Sequence, residues 1–163
     1  MKKYHRRILS LLMATIIIFS NSLPANAQET LTEWYDLEIV ENDDYFENVQ
    51  NTIIPRGRYI GTVITSIAEL DEGGIAMRVD VLCQEDMIEI VTVFYLQKIV
   101  DGVWVDVSSI TVSQENTYHF VKTVKTTGDV PAGSYRAKTA TMVTHPSGQV
   151  ETATGYSGAI GID

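Results

Sequence analysis

Residues able to do chemistry are few in this chain, and their spacing argues for binding more than for catalysis. Of three histidines, His5 lies in a basic N-terminal leader. That leaves His119 in a strand-like run and His145 before Pro146 in a turn. Two histidines make a metal site only where neighbouring strands bring them together, and neither has the helical or cysteine pairing of zinc sites. A serine hydrolase needs serine, histidine and acid within mutual reach, and the chain has no G-x-S-x-G elbow. Glu85 with Asp86, or with Glu89, offers a glycosidase its two carboxylates, but acids this close at a turn are ordinarily hydrated. The expectation is a protein that is not an enzyme, with no catalytic residue, no cofactor and no metal.

The remaining chemistry is recognition by aromatic side chains. Residues 91–112, VTVFYLQKIVDGVWVDVSSITV, form the clearest β-hairpin in the sequence. Asp101 and Gly102 supply the positive φ that a two-residue reversal requires. Pairing outward from Val100 opposite Val103 places Ile99 against Trp104, Gln97 against Asp106, Leu96 against Val107 and Phe94 against Ser109. Because side chains alternate across a strand, two faces follow. Phe94, Leu96, Val100, Val103, Val105 and Val107 read as the core face, with Lys98 its single charge. Val93, Tyr95, Gln97, Ile99, Trp104, Asp106 and Ser108 share the other. Tyr95, Gln97, Ile99, Trp104 and Asp106 are the candidate ligand-binding residues, since rigid aromatics beside hydrogen-bonding groups give contact area at low entropy cost.

Several elements must position this face. Residues 1–27 read as a secretory leader: Lys2, Lys3, Arg6 and Arg7, a short apolar run, then a cleavage signal ending at Ala27. Cleavage there takes four basic residues and no acidic one from a chain of formal charge −9, leaving 136 residues at −13. Such a balance disfavours nucleic acid and anionic membranes. The expected protein is therefore extracellular, a monomer or weak homo-oligomer, with a protein or a glycan as its partner. Cys83 is the single cysteine, so no internal disulfide forms, and its alternating neighbours Met77, Val79 and Val81 point it inward as an inert thiol.

Residues 28–57 read as an acidic N-terminal extension with room for one short helix. Asp43, Asp44 and Glu47 lack the ligand spacing of a calcium loop. The domain proper spans 58–163. Strands are expected over 59–70, 75–84, the two arms of the hairpin, 118–125, 134–144 and 149–162. Turns are expected at Glu85 and Asp86 and at 145–148, with a loop at 113–116. Seven strands at this spacing, with no helical pattern between them, indicate an all-β antiparallel sandwich.

Val130-Pro131-Ala132-Gly133-Ser134-Tyr135-Arg136-Ala137 resembles the corner entering the sixth strand of immunoglobulin-like domains, where a tyrosine bonds back to the upstream backbone. Ala137 stands where the bridging cysteine of such domains would be, and Phe94 replaces the core tryptophan. The chain is also similar over most of 59–162 to a family of small uncharacterised secreted proteins of Gram-positive bacteria. The shared features are the leader, the acidic lead-in, the Tyr-Leu-Gln strand, the Gly-x-Trp turn exit and the Gly-Ser-Tyr-Arg corner. That resemblance implies an immunoglobulin-like β-sandwich and secretion, but no activity. The expected function is a secreted, non-enzymatic binding module. A self-associating accessory domain with the aromatic face buried is the alternative, and a secreted hydrolase ranks third.

Overall fold

A computed structural model describes residues 34–41, 45–46, 52–53, 57–71 and 73–163, with backbone alone for 52–53. The leader with its cleavage after Ala27, and the acids Asp43, Asp44 and Glu47, lie outside the described residues. Every regular element among those described is a strand: β1 (Leu37–Val40), β2 (Thr52–Ile53), β3 (Ile60–Glu69), β4 (Ile75–Val100), β5 (Val103–Thr126), β6 (Gly133–Thr144) and β7 (Val150–Ile162). β2 has two residues; the other six have four or more. All pairings are antiparallel, in the order β1-β5-β4-β3-β2, with β6 added to β4 and β7 to β6. Among the described residues the fold is all-β and antiparallel, as the alternating pattern indicates, and no helix there is long and apolar enough to cross a membrane. β1, inside the stretch read as an extension, is hydrogen-bonded into this sheet along the end of β5.

Two expected breaks are absent. Glu85 and Asp86 do not turn the chain, and 113–116 is not a loop: β4 runs unbroken for 26 residues and β5 for 24. Their polar residues mark a bend instead. The pairing passes from Leu82↔His119 to Met87↔Thr117, so four residues of β4 oppose one of β5. Asn116 takes φ +52 there, a conformation its short polar side chain tolerates. A bulge of this kind sharpens twist and bends the ladder.

The bend doubles the long hairpin over. The Tyr35 N–H donates to Val107 O at 3.2 Å, and the Thr127 N–H donates to Asp36 O at 3.1 Å. Consecutive residues thus touch one point on β5 and one just past its end, which a straight strand would hold roughly 65 Å apart, at about 3.3 Å per residue. The near half of β4 pairs with β3, the far half with β6. β3 consequently faces β6 and β7 across the interior, where the Thr65 and Thr139 hydroxyls share a buried hydrogen bond of 2.6 Å. Met77, Val81, Phe94, Leu96, Phe120 and Tyr135 fill the space between, each fully buried. Side chains of this size stabilise the fold by about 1.5–3 kcal/mol apiece.

The hairpin reverses at Asp101 (φ +51) and Gly102 (φ +79). Val100↔Val103, Ile99↔Trp104 and Gln97↔Asp106 pair as the two-residue turn requires. One step further the register slips: Leu96 opposes Ser108 rather than Val107, and Phe94 opposes Ile110 rather than Ser109. The slip turns Ile110 and Val112 to the interior beside Phe94. Continuing the original register would have offered Phe94 only serine. The expected core face also fails at its tip, where Val103 is 60% exposed. β6 accompanies β4 only as far as Lys98, so the last turn of the hairpin projects beyond its neighbour.

Candidate functional site

β6 positions the site by strict alternation. Tyr135, Ala137, Thr139, Thr141 and Val143 are buried, so the even-numbered residues face outward. The register is pinned at the corner, where the buried Tyr135 donates its hydroxyl to Pro131 O at 2.7 Å. With Tyr135 inward, Arg136 and Lys138 point away from the core, opposite Gln97 and Tyr95 on β4.

These cations join the aromatic face through direct contacts. The Arg136 guanidinium carbon lies 4.5 Å from the Trp104 ring centre and 4.6 Å from that of Tyr156. Its Nε donates to Gln97 Oε1 at 2.7 Å. Gln97 Nε2 donates in turn to Asp106 Oδ1 at 2.6 Å. The other Asp106 oxygen is 3.8 Å from Lys138 Nζ, and that ammonium sits 4.5 Å from the Tyr95 ring centre. Gln97 is buried and bonded at both ends of its amide, which removes the penalty for hiding it. Each cation–ring contact contributes about 0.5–2 kcal/mol, depending on how dry it is. Burial, followed by the Asp106 carboxylate, pushes the Tyr95 phenol up. Burial lowers the Arg136 guanidinium against the opposing pull of Tyr156 and Asp106.

Of the five residues picked from sequence, Tyr95, Gln97, Trp104 and Asp106 thus belong to one network. Ile99 stands at its margin, exposed and paired across the strands with Trp104. Three members went unrecognised: Arg136, Lys138 and Tyr156. The first two were within reach of the sequence, because an inward Tyr135 forces its even-numbered neighbours outward. Tyr156 was not, since it depends on a bulge where Ser157 and Gly158 oppose Ala137. Trp34 is largely exposed, and Tyr35 packs against the hydrophobic core.

A second polar cluster gathers at the turn after β6. His145 Nε2 lies 3.1 Å from Glu85 Oε1, while Nδ1 is 2.7 Å from Ser147 Oγ. Serine, histidine and acid are in line, as a hydrolase would need them. The arrangement is nevertheless that of a turn lock. Ser147 is two residues from His145 and its own N–H also bonds Nδ1, at 3.1 Å, while the Gly148 N–H is committed to His145 O. An acyl-transfer site requires donors aimed at a developing oxyanion, and these backbone groups are spent inside the turn. The His145 ring stacks on Tyr59 at 4.5 Å, and Tyr59 OH donates to Gln149. His119 has a separate partner, Asp80 at 3.0 Å. No group of three or more potential metal ligands occurs among the described residues. Cys83 is buried, and its thiol is pushed up to about 11 by burial first and by the Glu151 carboxylate second.

Comparison of the chain with protein-family models, with curated proteins and with solved structures gives no match.

Proposed function

We propose that this chain is a secreted, non-enzymatic binding module with an immunoglobulin-like β-sandwich, and that it recognises a protein or glycan through the face of Tyr95, Gln97, Ile99, Trp104 and Asp106. The observation that supports this most strongly is the clamping of Arg136 between Trp104 and Tyr156 and its hydrogen bond to Gln97. Side chains already held in one arrangement lose little freedom when a partner arrives, so more of the contact energy appears as affinity. The tyrosine corner at Tyr135 and the doubled-over hairpin support the immunoglobulin-like reading. The exposed Ile99 beside Trp104 gives the face an apolar margin.

The test is binding of the leader-free protein to intact producing cells and to a glycan array, repeated with Trp104→Ala. Anchors of this type cost about 2 kcal/mol or more on truncation, so a signal should fall at least about 30-fold while circular dichroism stays unchanged. Undiminished binding by a folded Trp104→Ala protein would remove the face from consideration.

A further inference from the structure

Resting on the binding face proposed above, we infer that its ligand is a glycan carrying a carboxylate on the sugar ring, a uronic-acid residue, held by Arg136 and stacked on Trp104 or Tyr156. Three features of the face lead there. The first is a cation with no carboxylate in direct contact. Arg136 uses Nε on Gln97, and no carboxylate approaches its guanidinium within ion-pair distance among the described residues. In a chain with 21 acidic residues and 12 basic ones this is unexpected. Asp106, the nearest available acid, is engaged by Gln97 on one oxygen and faces Lys138 on the other. The Nη groups of Arg136 keep a planar fork of donors, which suits a carboxylate better than a point charge would.

The second feature is the distance between charge and ring. Both ring centres lie within 4.6 Å of the guanidinium carbon. Arg136 covers one side of each ring, so a ligand that meets both its fork and the ring surface left beyond it carries its anion close to a flat apolar face. A uronic acid does so, since its carboxyl carbon is attached directly to the pyranose, whose C–H face stacks on an aromatic ring. An aspartate or glutamate of a peptide reaches the fork on a flexible stem and leaves Trp104 and Tyr156 uncovered. The third feature is Lys138. It lies two residues along the same outward row and over Tyr95, a second cation and ring where a neighbouring sugar of the same chain would extend.

The experiment uses the leader-free protein and oligogalacturonate as the probe, with its methyl-esterified and neutral oligogalactose counterparts beside it, by calorimetry at two salt concentrations. Only the acid form should bind, more weakly at high salt. Arg136→Lys, which keeps the charge and loses the fork, should weaken binding about 10- to 100-fold, the range for charge-assisted hydrogen bonds. Lys138→Gln should weaken it less. Because esterification alters the ligand alone, the comparison holds even if a variant folds poorly. Equal binding of the acid, esterified and neutral forms would overturn the carboxylate inference while leaving the binding face standing. Binding of the acid form that is indifferent to both Arg136→Lys and Trp104→Ala would overturn the location as well. Failure of all three sugars, with Trp104-dependent binding to cells intact, would overturn the glycan and retain the proposed function.

Discussion

Gly155→Ala is the substitution that most directly tests whether the long hairpin doubles over and brings β3 onto β7. Gly155 lies on the inward side of β7, beneath the pair of threonines that join the two halves of the molecule. A Cβ built there falls well inside contact distance of Thr65 Oγ1, 2.9 Å from Thr139 Oγ1 and 3.3 Å from Thr65 Cβ. Both threonines are fully buried and hydrogen-bonded to each other. The added methyl therefore overpacks the interior, which costs about 1–3 kcal/mol. It also pushes apart two hydroxyls that have no water to turn to, about 1–3 kcal/mol more. A total of roughly 2–5 kcal/mol is a large share of the 5–15 kcal/mol that holds a typical domain together.

Urea unfolding followed by tryptophan emission should register this as a midpoint lowered by roughly 1–3 M, given slopes of about 1–3 kcal/mol per molar. Gly161→Ala is the control, because a Cβ at Gly161 on the same strand meets nothing within 4 Å. It should stay within about 0.5 kcal/mol of the parent. Thr65→Ala in the Gly155→Ala background removes the closest obstacle, so the two changes should be less than additive by about 0.5–3 kcal/mol. A Gly155→Ala protein as stable as the parent, or strict additivity in the double variant, would mean that β3 and β7 are not in contact. The folded-over architecture would then be wrong.

Two smaller effects follow from the same coordinates. Tyr135→Phe removes the hydroxyl bond to Pro131 O and keeps the buried ring. Pro131 is exposed, so its carbonyl can take up water, and urea unfolding should show a loss of only about 0.5–1.5 kcal/mol. Cys83 makes stability fall at alkaline pH. The unfolded chain releases the thiol proton near 9.0 and the folded chain holds it to about 11. The protonated thiol's contribution is complete below about pH 9 and drains away as pH rises towards 11. The parent should therefore lose more stability across that window than Cys83→Ala does, and iodoacetamide should label the native thiol far more slowly than the unfolded one. Equal losses, or fast native labelling near pH 8, would contradict the buried position of Cys83.

How much of this was legible in the sequence depended on whether the deciding interaction was local. The reversal at Asp101 and Gly102 was readable because two residues with positive φ settle it. The bond from Tyr135 back to the upstream backbone was anticipated by the resemblance of residues 130–137 to an immunoglobulin-like corner. Glu85, Asp86 and 113–116 misled because polar residues serve a bend as well as a turn, and only the partner strand distinguishes them. β4 continues through Glu85 because Gln84 N–H finds Tyr59 O just before β3, a bond that no local pattern announces. The slip at Val107 is similar. Which of Ser109 and Ile110 faces Phe94 was settled by the core across the sheet, so Val107 became the extra residue.

The site itself illustrates the same division. The hairpin alone supplied Tyr95, Gln97, Trp104 and Asp106, yet without β6 these are an aromatic cluster with an uncompensated acid. β6 enters with Tyr135 locked to Pro131, and that one bond orients a whole row: Tyr135 cannot leave the core without drawing Arg136 from between Trp104 and Tyr156. The turn that anchors the fold thereby sets the cation of the face, and the bulge at Ser157 and Gly158 sets the ring on its far side. A face assembled from four strands in this way is stiff where it matters. Under the proposed binding function, selectivity should therefore reside in the spacing between the fork of Arg136 and the rings beside it more than in any residue taken singly.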